Sequence, residues 1–175
     1  TIHVLLGGSA TTDGGFGALR AMPPAVRMKE VDLVVACDVA TMFTQAAEVF
    51  GPQKGASPAQ VKLLTRRLER LCQVYVEQYG VDVSSLRGAG AAGGLAGGLA
   101  AIGARIESGF DVLAEAAGLD EVLVGADLVI TGEGLLDAES FNGKVVGGVA
   151  SWAASEAVPV AAIVGAADAD LTLPD

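Results

Sequence analysis

Ala126-Asp127-Leu128-Val129-Ile130-Thr131-Gly132-Glu133-Gly134, with Asp137 a little further on and then Gly143-Lys144, is the stretch whose reading decides the fold. Leu128–Thr131 is apolar apart from its last residue and predicts a short buried strand that opens into a glycine loop at 132–134. A helix is expected from near Lys144 to about Glu156. Val158–Val164 then predicts another strand, which again ends in glycine. Strand, glycine loop, helix and strand in that order form the repeating unit of a parallel sheet with helices on its faces.

The same grammar runs upstream. Ile2–Leu6 predicts a buried strand that runs into Gly7-Gly8-Ser9. A short helix is expected around Phe16–Met22, broken by Met22-Pro23-Pro24, and a strand over Val31–Cys37 that ends on Asp38. The clearest helix spans Pro58–Tyr79. Ser57 is its N-cap, Pro58 suits the first turn, Gln60 completes a capping box and Gly80 terminates it. Val61, Leu64, Leu68, Leu71, Cys72 and Tyr75 recur at helical spacing, and Arg66, Arg67, Glu69 and Arg70 form the solvated side. A shorter helix is expected over Asp111–Ala117, stopped by Gly118, and the tail to Asp175 reads as polar and irregular. The fold class is therefore α/β, a parallel or mixed sheet with flanking helices, with a domain boundary expected near residue 125.

Composition narrows the function. Of the 175 residues 51% are apolar, enough for a core, and the 24 glycines and many alanines suit helices packed closely on a sheet. A net charge of −10 offers no cationic surface for nucleic acid or an anionic membrane. It does not exclude an anionic small substrate, which a few lysines, backbone N–H groups and a divalent cation handle locally. Cys37 and Cys72 lie in apolar stretches without metal-ligand spacing and read as buried structural thiols. No apolar run reaches transmembrane length and no signal peptide is seen, so a soluble cytoplasmic protein is expected.

Ligands of open α/β sheets collect where strands end and helices begin. Gly7, Gly8, Ser9, Thr11 and Thr12 follow the first strand and offer close backbone approach and hydroxyls to an anion. Asp13 adds a carboxylate suited either to Mg²⁺ or to capping the next helix. Asp38 serves catalysis or caps a turn equally well. In the loop Phe50-Gly51-Pro52-Gln53-Lys54-Gly55, Lys54 suits a phosphate and Gln53 a substrate carboxylate or hydroxyl, against a plain exposed turn. Gly88-Ala89-Gly90-Ala91-Ala92-Gly93 matches a dinucleotide fingerprint in form only. Asp82, Ser84 and Ser85 spoil the strand before it, and close helix packing is the better reading. Glu133, Asp137 and Lys144 combine carboxylates for Mg²⁺ or a substrate hydroxyl proton with a cation for the transferring oxygens, the mixture phosphoryl transfer requires. A capped turn with a solvated lysine is the structural alternative. The lone His3 reads as structural, and there is no Walker motif.

GGSATTDGG (7–15), VFGPQKGAS (49–57), GAGAAGGLAGGL (88–99) and ADLVITGEGLLDAESFNGK (126–144), in that order, resemble the type I glycerate kinase family. The resemblance runs from Ile2 to Gly165. It implies an ATP- and Mg²⁺-dependent kinase of D-glycerate that gives 2-phosphoglycerate, built from a restriction-enzyme-like and a flavodoxin-like α/β domain. On that basis residues 1–125 are expected to be most of the first domain and 126–175 the start of the second. By motif Gly7, Gly8, Ser9 and Asp13 carry over as expected phosphate and metal neighbours, Gln53 and Lys54 as cleft residues, and Glu133, Asp137 and Lys144 as the acidic and basic groups of the second loop. Taken with the reading of the residues themselves, Asp137, Asp38 and Lys54 are the expected catalytic residues, Asp13 and Asp137 the expected metal neighbours, and Gly7, Gly8, Ser9, Thr11, Gln53, Glu133 and Lys144 the expected substrate and phosphate contacts.

The departures are specific. Family members are roughly twice this length and begin with a strand and a P-D-S-F-K-G-type loop that has no counterpart here. Many carry Asn-Pro after the aspartate at the Asp38 position, where this chain has Val39-Ala40-Thr41, and the link from Met22 to Val31 is shorter than theirs. The expectation is a piece of a kinase, with a kinase-derived binding or regulatory module without turnover as the alternative. A nucleotide-dependent oxidoreductase resting on 88–93 ranks last. A homodimer through an exposed Ala/Gly-rich face is a further expectation.

Overall fold

The structure is a computed structural model that describes residues 1–22, 30–141 and 143–172. In chain order its elements are β1 (Ile2–Leu5), α1 (Phe16–Ala21), β2 (Leu33–Cys37), α2 (Ala46–Phe50), α3 (Pro58–Tyr79), α4 (Ala91–Ala101), β3 (Arg105–Ser108), α5 (Gly109–Ala116), α6 (Leu119–Leu123), β4 (Val129–Leu136), α7 (Val145–Ser155) and β5 (Val160–Ala167). The alternation makes an α/β protein with parallel strand pairs, as the sequence predicts. Pro23 and Pro24, expected to break the first helix, lie outside the described residues, as do the last three residues of the tail.

The chain forms two compact units, Thr1–Glu107 and Ser108–Asp175, where the sequence placed a boundary near residue 125. The reason is packing. Phe110 meets Trp152 edge to face at 6.4 Å, and the Trp152 indole N–H donates to Asp111 Oδ1 at 2.8 Å. Leu123 is buried against Ala153 and Val158. These contacts bind α5 and α6 to the second unit.

In the first unit the sheet order is β1-β2-β3, and β1 and β2 run parallel in the register Ile2↔Leu33 to Leu5↔Ala36. Every residue of β2 is buried, which fits its unbroken apolar run. Ala91, Ala96 and Leu99 of α4 pack with Leu33, Val35 and Cys37. A second cluster forms where Leu68, Cys72 and Tyr75 of α3 meet Phe43. The bounds of α3 are those the sequence predicts. Gln60 N–H donates to Ser57 Oγ, Ser57 N–H donates back to Gln60 Oε1, and Gly80 closes the helix at φ 74°. Both cysteines are buried and free, and burial pushes the Cys72 thiol up to about 11, so they are inert apolar fillers.

The glycines at 88–98 serve close packing. The Gly14 N–H donates to the Gly93 carbonyl at 3.0 Å, and a Cβ on Gly93 would stand 2.0 Å from the Thr11 carbonyl oxygen at φ +68°. Where a dinucleotide's phosphates would need space, the 11–14 loop fills it. The helix is also buried along most of its length, so this Ala/Gly-rich segment is not the exposed face expected for a homodimer. Gly93→Ala is expected to cost about 3 kcal/mol, a left-handed penalty plus overpacking. Gly80→Ala also sits at positive φ but meets nothing within 4 Å, and is expected to cost only about 1 kcal/mol. Urea unfolding of both variants measures the difference; equal costs would show that the contact with Thr11 is loose.

In the second unit β4 and β5 pair in parallel from Val129↔Val160 to Leu136↔Ala167. The strand therefore runs straight through Gly132-Glu133-Gly134, which the sequence read as a loop, and Glu133 sits in the ladder opposite Val164. Ile130, expected to be buried, is 64% exposed, and Ile163 on the neighbouring strand is 71% exposed. β3 and α6 are elements the sequence reading did not contain. No helix among the described residues is long and apolar enough to cross a membrane.

Candidate functional site

The parallel strands β1 and β2 release the chain at the same end, which sets Gly7 and Gly8 near Asp38 by register. Asp38 is exposed, and a Cβ on Gly7 or Gly8 would meet nothing within 4 Å, so this backbone is open to a ligand. Beyond it the loop is locked. Asp13 Oδ1 and Oδ2 accept the N–H groups of Gly15 and Gly17 at 3.1 and 2.9 Å. The buried Tyr75 hydroxyl donates to the Gly14 carbonyl at 2.8 Å. Burial, with the Asp13 charge nearby, pushes the Tyr75 phenol well up, so it stays protonated as that bond requires.

Lys54 ends the 3-10 turn Pro52–Lys54 that follows α2, and it reaches back into this loop. Its ammonium donates to Ser9 Oγ at 2.9 Å and to the Thr11 carbonyl at 2.6 Å, with Thr12 Oγ1 at 3.5 Å. All of these acceptors are neutral. Among the described residues Lys54 has no carboxylate partner, and burial lowers its pKa. The structure thus joins two loops that the sequence singled out separately and places an uncompensated cation between them. Gln53, the neighbour on the turn, is exposed and does not line the cavity beside Lys54.

That cavity, of about 320 Å³, runs from Thr12 and Lys54 to the first turns of α3, where Gln60, Leu63, Leu64 and Arg67 line it. Those spacings of three and four place the side chains on one face of the helix. Arg67, assigned from sequence to the solvated side, is therefore a wall of the cavity. The available signal was its helical spacing from Gln60, which the apolar periodicity masked.

The second locus follows β4. Asp137 and Ser140 lock each other: the Asp137 N–H donates to Ser140 Oγ and the Ser140 N–H to Asp137 Oδ1, both at 3.0 Å. Ser140 is fully buried, which fixes the turn, and it was not among the expected site residues. Lys144, at the start of α7, places its ammonium 3.8 Å from Asp137 Oδ1. Glu133 Oε1 is buried and has no hydrogen-bond partner. The structure thus brings Asp137 and Lys144 together and carries Glu133 in the ladder before them. Among the described residues no group of three or more His, Cys, Asp or Glu is placed to cage a metal. Mg²⁺ needs no such cage, since it is held by one or two carboxylates together with substrate phosphates. The partly exposed Asp137 carboxylate fits that role better than Asp13, whose oxygens both serve the turn.

A model of the glycerate kinase family matches residues 23–174. Glycerate 2-kinase of Escherichia coli is 35% identical over 202 residues, which cover 97% of this chain and 53% of that protein. Glycerate kinase of Halalkalibacterium halodurans is 36% identical over 192 residues, covering 91% of this chain and 50% of the relative. The crystal structure of "putative glycerate kinase 2" from Salmonella typhimurium LT2 superposes with a TM-score of 0.76 at 35% identity, over 94% of this chain and 53% of that one. The chain spans about half the length of the curated relatives it matches. The match covers the Lys54 loop and the Asp137–Lys144 turn alike, and the chain belongs to the glycerate kinase family.

Proposed function

We propose that this chain carries the reacting groups of a cytoplasmic kinase that transfers the γ-phosphoryl group of ATP to D-glycerate, giving 2-phosphoglycerate. The observation that carries the reading is Lys54: a half-buried ammonium with only neutral acceptors, beside the open backbone of Gly7 and Gly8. A cation held that way in a chain of net charge −10 is paired by the anion it binds. Membership of the glycerate kinase family supports the substrate and the donor. By the same reading the first unit is most of a restriction-enzyme-like domain and the second the start of a flavodoxin-like one.

In this reading Lys54, Ser9, Thr11 and the N–H groups of Gly7 and Gly8 hold phosphate oxygens, and Gln53 hydrogen-bonds the substrate. Asp137 takes the proton of the glycerate hydroxyl as its oxygen bonds to the γ-phosphorus. The bond from that phosphorus to the β–γ bridging oxygen breaks, and ADP leaves with the electron pair. Lys144, beside Asp137, stabilises the charge on the transferring oxygens. Glu133 positions the organic acid by its hydroxyl groups. Mg²⁺, when bound, would be held by Asp137 together with the phosphates and would neutralise their charge.

A polypeptide carrying this chain in full, given ATP, Mg²⁺ and D-glycerate, is expected to release ADP in step with glycerate consumed. In the phosphorus NMR spectrum the product phosphate should couple to a single methine proton; coupling to a methylene pair would place it on the primary hydroxyl. Absence of ADP release from folded protein would refute the kinase reading.

A further inference from the structure

Two cavities meet along α3. The one beside Lys54 measures about 320 Å³ and carries two cationic side chains, Lys54 and Arg67, and no carboxylate. The other, about 600 Å³, lies on the far side of Leu64 and is mainly apolar, with Phe16, Leu68, Leu71 and Val74 in its walls and Arg67 and Arg70 at its edge. Thr12, Leu64 and Arg67 line both, so the cavities adjoin. Among the described residues Asp13 is the one carboxylate lining the larger groove, and its oxygens already accept the N–H groups of Gly15 and Gly17. Phe16, a wall of the groove, is 42% exposed, and the Arg20 guanidinium lies over its ring 5.6 Å from the centroid, which leaves the opposite face for a ligand. Arg67 makes no ion pair among the described residues.

A polyanionic tail joined to a flat apolar ring is the chemistry this pair of cavities accepts. We propose that the nucleoside triphosphate lies along α3, with its phosphates between Lys54 and Arg67 and its base against Phe16 in the apolar groove. The proposal rests on the kinase reading for its ligand and assigns that ligand a place. Glycerate does not fill this role, since a three-carbon acid has no apolar portion for the larger groove. Arg67 is the residue both cavities share, and its planar guanidinium suits bidentate contact with phosphate oxygens. Phe16 supplies a stacking face that any base tolerates.

The test separates tail from base with inorganic tripolyphosphate, which has the former and lacks the latter. Calorimetric titration of ATP and of tripolyphosphate into a polypeptide carrying this chain in full reads binding without turnover, so it holds even where no kinase activity is found. Arg67→Gln is expected to weaken both ligands by about 10- to 100-fold. Phe16→Ala is expected to weaken ATP about tenfold and leave tripolyphosphate within about twofold. Both side chains are exposed, so neither change threatens the core. In the active enzyme the KM for D-glycerate stays within about twofold in each variant. If Arg67→Gln raised that KM and spared ATP, the cavity would take the acid's carboxylate and the proposal would fall. It would fall equally if both variants bound both ligands like the parent.

Discussion

Asp137→Asn is expected to lower the turnover of the proposed glycerate phosphorylation by about 10²- to 10⁴-fold, the range for loss of a positioned acid–base group. The substitution keeps the shape of the side chain, and the amide oxygen still accepts the Ser140 N–H that Asp137 Oδ1 accepts at 3.0 Å. It removes the negative charge facing Lys144 at 3.8 Å, in a pair whose side chains are 50% and 31% exposed. Such a pair contributes at most about 1 kcal/mol to folding. The thermal midpoint should therefore move little while kcat collapses, and the KM for ATP should change less than kcat. A variant with kcat within about threefold of the parent and the same melting point would remove Asp137 from the chemistry. The Ser140 lock gives a second check. Ser140→Ala leaves the carboxylate in place but frees its turn, so it should lower kcat by a smaller factor than Asp137→Asn.

What the sequence disclosed follows from how local each signal is. The bounds of α3 are legible because every device that sets them, Ser57, Pro58, Gln60 and Gly80, acts within one turn of the helix end. The strands β1 and β2 are legible because they are short apolar runs that stop at polar or glycine punctuation. β3 is not: Arg105-Ile106-Glu107-Ser108 has one apolar residue, and it is a strand only because β2 lies beside it. Gly132-Glu133-Gly134 misleads for the opposite reason. Its composition says loop, yet β5 supplies a ladder, and the narrow residues let the chains run close at Gly132 and Ile163.

The candidate site divides along the same line. Its loops were visible as glycine and hydroxyl clusters next to strand ends. That Lys54 reaches Ser9 and Thr11, 45 and 43 residues away, is a tertiary fact with no local trace. Arg67 was hidden differently. On a helical wheel it belongs to the polar side, and only the position of the 51–56 turn decides that this side faces a cavity and not bulk water. Tyr75 was read as core and is core, but its hydroxyl also holds the Gly14 carbonyl, so one residue serves both the packing and the loop.

Lys54→Met tests the loop of the first unit, and its expected effect is a fall of about 10²- to 10³-fold in kcat/KM, the cost of removing one charge-stabilising donor from a preorganised set. Lys54→Arg should recover little. The ammonium is a compact donor set among Ser9, Thr11 and Thr12, and a planar fork cannot reproduce those directions. Folding should respond differently. Burial lowers the Lys54 pKa in the folded state below its value in the unfolded chain, so the unfolded chain binds the proton more tightly. The charged lysine therefore opposes folding at neutral pH, and that cost fades as the pH rises through the folded pKa towards the ordinary lysine range. Methionine removes the titration, fills the stem volume and gives up the bonds to Ser9 and Thr11, for a net change within about 1 kcal/mol. The stability of Lys54→Met should also climb less with alkaline pH than that of the parent. Unfolding curves at neutral and alkaline pH, set beside kcat/KM with ATP and D-glycerate, read both effects at once. A folded Lys54→Met enzyme retaining activity within about threefold would show that the cation serves the loop alone, and the phosphate site would have to be sought elsewhere.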